Sequence, residues 1–186
     1  MASSGPVTAS ASFLSIRSYI EAGYGAGTFQ RVRQEVRARG FDEFPQVLTP
    51  GARHPTAMLT TMVDTAHELL GPADFYERCG RAIVDYEINA LFRFALQLST
   101  PMGVLARASD AWRKVHSAGS WTVEGESGRT DARLTGFPTT AGYCRLLTAY
   151  FQRLFELTGA REVVMEHPRC VGRGDAYCGF MGRWRV

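Results

Sequence analysis

Four residues have the types and the spacing to bind a metal: Cys144, His167, Cys170 and Cys178, in the pattern C-x22-H-x2-C-x7-C. Three thiolates and one imidazole are the usual ligand set of a closed, tetrahedral zinc site. The last three lie in the stretch Glu166–Phe180, where Pro168, Gly172 and Gly174 let the backbone turn tightly. A lone cysteine reads as a small buried hydrophobe. Three thiols and a histidine converging from one helix, one strand and one turn read as a metal site. A filled tetrahedral site keeps no open position, so the expected cofactor is structural zinc rather than a catalytic ion.

The elements that must position these ligands are set by hydrophobic period. Pro138 and Thr139–Thr140 open a helix carrying Leu146, Leu147, Tyr150, Phe151, Leu154 and Phe155, which places Cys144 in its first turns, where the helix terminus favours a thiolate. Arg161–His167 reads as a strand with Val163, Met165 and His167 on one face and Val164 and Glu166 on the other. His167 therefore competes with Glu166 for the ligand position, and its place three residues before Cys170 suits a tight turn. Ala176–Trp184 is the antiparallel mate that delivers Cys178. Asp175 is placed to accept a supporting N–H bond.

The rest of the chain reads as helices first. The spacing predicts a first helix over 13–22 capped by Ser12, a second over 28–38 stopped by Gly40, a third over 56–70 and a long fourth from Asp74 to Leu98. A fifth follows Ser99–Thr100–Pro101 and ends at His116, where a cation near the helix C-terminus is favourable. Residues 1–10 are small and polar and are expected to fray; 41–56, with three prolines, read as loop, with His54 solvated. The period then changes to two, and 120–137 reads as a β-hairpin. The expected fold is α/β (α+β): N-terminal helices followed by a β-β-α-β-β unit. The chain is read as one domain, 1–186, mostly helical over 11–118 and metal-binding over 119–186.

Composition excludes several function classes. Hydrophobic residues make up 45% and charged residues 21% of 186 residues, with a net charge of +3 and no Lys/Arg run, so no nucleic-acid partner is expected. The N-terminus lacks both a basic and an apolar region, and no apolar run is long enough to span a membrane, so a cytoplasmic protein with reduced cysteines is expected. The GYGAGT segment has neither a preceding strand nor a following Lys and fails as a phosphate loop. Cys79 sits beside Arg78 and Arg81 with no base to activate it. No catalytic set is found, and an enzyme is not expected.

A helix opening Gly142–Tyr143–Cys144, a strand ending in an acid or His, then C-x7-C with an internal Gly174–Asp175 and a closing aromatic resembles the 4-vinyl-reductase type of ligand-binding domain. It is closest to the zinc-containing sensor domains of phenol-responsive activators, and the whole chain resembles a set of stand-alone bacterial paralogues. The resemblance implies zinc held by Cys144, His167 (where those sensors have Glu), Cys170 and Cys178. It implies a fold shared with haem-based nitric-oxide sensors and TRAPP subunits, and a homodimer formed through the N-terminal helices. It also implies an apolar small-molecule pocket lined by Ile88, Phe92, Trp121, Val123, Leu147, Phe151 and Met165. The Tyr-x-Ser-x-Arg motif of the haem sensors does not occur here. The function so implied is a zinc-stabilised sensory or regulatory domain binding an apolar or aromatic molecule and signalling through a partner protein. The alternative is a scaffold or protein-interaction module with a packed interior and an exposed apolar patch near Phe41–Val47 or on the third helix.

Overall fold

The structure is a computed structural model that describes residues 5–87 and 95–185. Its elements are a short strand β1 (Val7–Ala9), helices α1 (Ser10–Tyr24) and α2 (Thr28–Ala38), a short strand β2 (Arg53–Pro55), helices α3 (Thr56–Leu70), α4 (Phe75–Glu87) and α5 (Pro101–Val115), a hairpin of β3 (Ser120–Glu126) and β4 (Arg129–Thr135), helix α6 (Ala141–Leu157), and strands β5 (Arg161–Arg169) and β6 (Cys178–Arg185). The fold is mixed α+β, with helices followed by a β-β-α-β-β unit. The fourth helix was expected to run on to Leu98; residues 88–94 of it, including Ile88 and Phe92, lie outside the described residues.

The hairpin and the last two strands form one antiparallel sheet in the order β3-β4-β6-β5. Helix α6 connects β4 to β5 and covers one face, packing Phe151 on Phe180 and Phe155 edge-on to Trp184 at centroid distances of 6.1 and 5.3 Å. Helix α4 lies against α6 so closely that a Cβ on Gly80 would stand 2.2 Å from the Leu146 carbonyl oxygen. Only a residue without a side chain permits that crossing. Phe13, Ile16 and Ile20 of α1 and Leu59, Met62 and Val63 of α3 are buried in the same core, as their spacing of three and four dictates.

Four local expectations are overturned, three of them through partners distant in sequence. Val7–Ala9 is not frayed: it pairs antiparallel with Arg53–Pro55. Thr8 is fully buried, its hydroxyl 2.9 Å from both the Thr56 hydroxyl and His116 Nδ1. Ser12 does not cap the first helix, which starts at Ser10 after Ala9 with no side-chain cap. His116 is no exposed cation at a helix end; it is buried between the Trp112 and Phe137 rings, and burial, with Arg53 adding, pushes its pKa down to about 4. His54 is half-buried rather than solvated, bonded through Nε2 to Ser10 Oγ at 2.9 Å and edge-on to Phe13.

Candidate metal centre

Thr140 ends the chain's extended run and accepts the Tyr143 N–H on its hydroxyl at 3.1 Å, starting α6. That N-cap satisfies one of the otherwise unpaired donors of the first turn. Cys144 follows in that turn, fully buried, with its Sγ 3.4 Å from the Thr139 hydroxyl and 3.4 Å from Cys178 Sγ. On β5 the register with β6 shifts between Glu166 and Arg169. Glu166 is turned outward to Arg183, 2.5 Å away, and so leaves the site. His167 instead faces inward, stacked on Phe180 at 4.6 Å and 24°.

Past Arg169 the chain makes a short 3-10 turn, Val171–Arg173. The Cys170 N–H donates to Asp175 Oδ2 at 2.7 Å, and the Cys170 carbonyl accepts from the Arg173 and Asp175 amides at 2.9 and 3.1 Å. Gly174 takes φ +94°, a left-handed conformation that favours glycine. A Cβ on Gly172 would lie 2.5 Å from the Ala141 amide nitrogen, so the turn rests directly on the start of α6. Cys178, 1% exposed, opens β6, and its sulfur accepts the Val171 N–H at 3.4 Å.

The ligand atoms of Cys144, His167, Cys170 and Cys178 all lie within 4.8 Å of one another. A tetrahedral ion with bonds of about 2.3 Å to sulfur sets its sulfurs about 3.8 Å apart, so the cluster has metal-site dimensions. Both ring nitrogens of His167 are buried without a hydrogen-bond partner, which an imidazole inside protein tolerates poorly unless something binds it. The hydrogen bond between the Cys144 thiol and Cys178 holds Cys178 down at about 4, with His167 and the Val171 amide adding; that same bond, with burial, pushes Cys144 up. The opposite directions belong to the pair of sulfurs, which share one hydrogen bond. Burial pushes Cys170 up, and does the same to Cys79, which lies in α4 outside the cluster.

No family model matches the sequence, and no curated protein matches it. Solved structures do match. An H-NOX protein from S. oneidensis in the Fe(II)NO ligation state superposes with a TM-score of 0.69 at 11% identity, over 96% of this chain and 99% of that one. Unliganded Fe(II) H-NOX protein from K. algicida gives 0.68 at 11%, over 96% and 97%. The fold is that of the H-NOX domains. A structure concerned with modulating heme redox potential through porphyrin distortion matches it too, with a TM-score of 0.62 at 11% identity over 92% of this chain and 96% of that one.

Two expectations are corrected by these matches. The resemblance to 4-vinyl-reductase-type domains rested on residues of one local cluster, whereas the likeness to H-NOX domains runs along nearly the whole chain. Zinc as the cofactor goes with it, since the solved structures of this fold carry Fe(II) or heme. Among the described residues, three of the four histidines are already engaged: His54 is bonded to Ser10, His116 to Thr8, and His167 belongs to the thiol cluster, while His67 lies tilted against Tyr76 at 4.5 Å with its Nδ1 buried and unpartnered. Two depressions among the described residues open to solvent, with volumes of about 440 and 310 Å³. The first is lined by Ser18, Tyr19, Ala22, Gly23, Ala82 and Tyr86 and contains no histidine.

Of the residues expected to line an apolar pocket, Ile88 and Phe92 lie outside the described residues, and the other five lie on β3, α6 and β5. Trp121 on β3 meets Phe151 and Phe180 at centroid distances of 5.3 and 5.4 Å, and Leu147 is buried on the same helix as Phe151. Val123 is partly buried two residues along β3, on the face of Trp121. Met165 lies on β5 at the opposite edge of the sheet, lining the 310 Å³ depression with His167. Sequence reasoning missed the Thr139 hydroxyl, the Val171 amide and the stacking role of Phe180. Only Phe180 left a signal, since it shares the strand face of Cys178 two residues away.

Proposed function

We propose that the chain is a non-catalytic regulatory domain that binds a small aromatic molecule against Trp121 and reports its bound state to a partner protein. Cys144, His167, Cys170 and Cys178 hold a transition-metal ion in this reading, pinning α6 to the last hairpin. The observation that carries the ligand proposal is the Trp121 indole nitrogen, buried without a hydrogen-bond partner among the described residues. Its neighbour Trp112, 5.5 Å away, gives its own N–H to the Ala118 carbonyl at 2.8 Å. An unpaired buried donor inside an aromatic wall suits an aromatic ligand carrying an oxygen acceptor. The fold's likeness to H-NOX domains solved with NO bound supports a small-molecule sensing role.

The scaffold alternative has less support. Around Phe41–Val47, Phe44 and the adjoining Leu48 are buried and Val47 alone stands out at 70% exposure, and on α3 Leu59, Met62 and Val63 are buried with Leu69 exposed, so no contiguous apolar patch forms at either place.

The test is thermal stability with acetophenone, which has an acceptor, and naphthalene, which has none. Acetophenone at 100 to 1,000 times its Kd is expected to add about 3–4 kcal/mol, naphthalene less, and Trp121→Phe removes the difference. Equal responses in wild type and variant, or none, refute the ligand site.

A further inference from the structure

The sheet has a second face, turned away from α6. Phe180 and Trp184 of β6 meet Phe151 and Phe155 of α6, so Gly179, Met181 and Arg183 alternate to the other side. Register sets Arg133 of β4 and Arg169 of β5 on either side of Gly179. Directly paired residues share a face, so both arginines stand on this one, and both are exposed. The middle of the row has no side chain, and the Tyr177 ring lies over it: a Cβ on Gly179 would stand 3.4 Å from Tyr177 Cε2. The guanidinium carbons of Arg133 and Arg169 are each 5.5 Å from the centroid of that ring. One tyrosine thus holds two arginines delivered by different strands.

These two charges are not spent within the chain. Arg17 and Arg145 also lie over rings, but each pairs with a carboxylate, at 3.1 and 2.8 Å. Among the described residues Arg169 forms no ion pair, and Arg133 reaches only Asp131, at 3.9 Å. Like charges beside one ring repel each other, and an anion seated on both relieves the repulsion. Contact with the ring also restrains two long side chains in advance, so less freedom is lost on binding. Acids on the same face narrow the choice of anion. Asp131 and Glu166 occupy the next row, and Glu162 pairs with Arg185 at 2.9 Å. A nucleic acid or an anionic membrane spread over this face would meet those carboxylates, whereas a short acidic segment can sit on the two arginines alone. Val164, 46% exposed and opposite Arg183, adds an apolar contact on the same face.

We infer that this face docks a short acidic segment of a partner protein, with carboxylates of the segment on Arg133 and Arg169. A guanidinium presents paired N–H groups that match the two oxygens of a carboxylate, and such charged pairs are stronger than neutral bonds. Arg169 and Tyr177 directly precede Cys170 and Cys178, so the docking face and the thiol cluster share backbone. The inference rests on the partner protein of the reading above, but not on its aromatic ligand.

Fluorescence anisotropy of a labelled glutamate-rich peptide with the full chain tests it, beside a lysine-rich peptide, a single-stranded oligonucleotide and phosphatidylserine vesicles. The glutamate-rich peptide is expected to bind saturably at low salt, and the lysine-rich peptide not to bind. Arg133→Gln combined with Arg169→Gln is expected to weaken that binding at least about ten-fold, with the melting temperature unchanged because both side chains are exposed. Arg129→Gln combined with Arg161→Gln removes the same charge from elsewhere on the sheet and is expected to leave the binding nearly unaltered. Tyr177→Leu, which takes away the ring and no charge, is expected to weaken it, and Tyr177→Phe to preserve it. Trp121→Phe is expected to bind the peptide like wild type, so failure of the aromatic site and failure of the docking face are distinguishable. No saturable binding of the glutamate-rich peptide, equal losses in the two double variants, or tighter binding of the oligonucleotide or the vesicles overturns the inference.

Discussion

His116 makes the fold acid-sensitive in a way that can be worked out in advance. Its Nδ1 is bonded to Thr8 Oγ1 at 2.9 Å, its faces meet Trp112 and Phe137, and the ring is 6% exposed. Arg53, bonded to the Lys114 and Val115 carbonyls just before it, adds a like charge. Burial first and Arg53 second lower its pKa from 6.5 to about 4. In that window the unfolded chain carries a proton that the folded chain refuses. Stability therefore falls as pH drops through 6.5 and levels off below about 4. The gap corresponds to about 3 kcal/mol at full effect, or about 6–12 °C in melting temperature for a chain of this size. The assay is thermal unfolding of wild type and His116→Gln from pH 7 to pH 4. Other groups titrate in the same range, so the difference between the two curves is the reading. The variant is expected to be less stable at pH 7 and to lose its deficit as the pH falls. Parallel losses across the whole range would refute the argument.

Three further predictions follow from the packing around the cluster. Gly172→Ala forces its methyl group onto the α6 backbone 2.5 Å away and should cost about 1–3 kcal/mol by urea unfolding, with weakened metal uptake. Cys178→Ser should lose bound metal by elemental analysis and melt several kcal/mol less stably, whereas Cys79→Ser should keep its metal. Glu166→Gln removes only an exposed pair with Arg183, so it should change stability by less than about 1 kcal/mol and leave metal content unaltered.

Much of this molecule could be read directly from side-chain period and punctuation. The hairpin over 120–137, the Thr140 cap and the Gly40 stop each follow from local chemistry that tertiary contacts do not override. Cys144, His167, Cys170 and Cys178 were nameable because metal ligands are few in type, and strand alternation with a bulge allowed His167 in place of Glu166. What could not be read depends on partners far along the chain. Thr8 looks like part of a loose polar tail until His116 and Thr56 supply its bonds. The polar-looking His54 finds Ser10 and Phe13 44 and 41 residues away. Strand order, which sets Trp121 and Met165 at opposite edges of the sheet, is likewise invisible in either strand alone. The shared fold with haem-based nitric-oxide sensors held along the chain, whereas the 4-vinyl-reductase assignment erred because a compact ligand motif says little about the remaining chain.

Native mass spectrometry of the chain as purified tests the regulatory reading most directly, since one spectrum weighs metal and small molecule together. The account predicts one metal ion per chain, lost in Cys178→Ser, and an organic adduct that forms with acetophenone in wild type but not in Trp121→Phe. A bare chain mass that takes up neither metal nor acetophenone would contradict it.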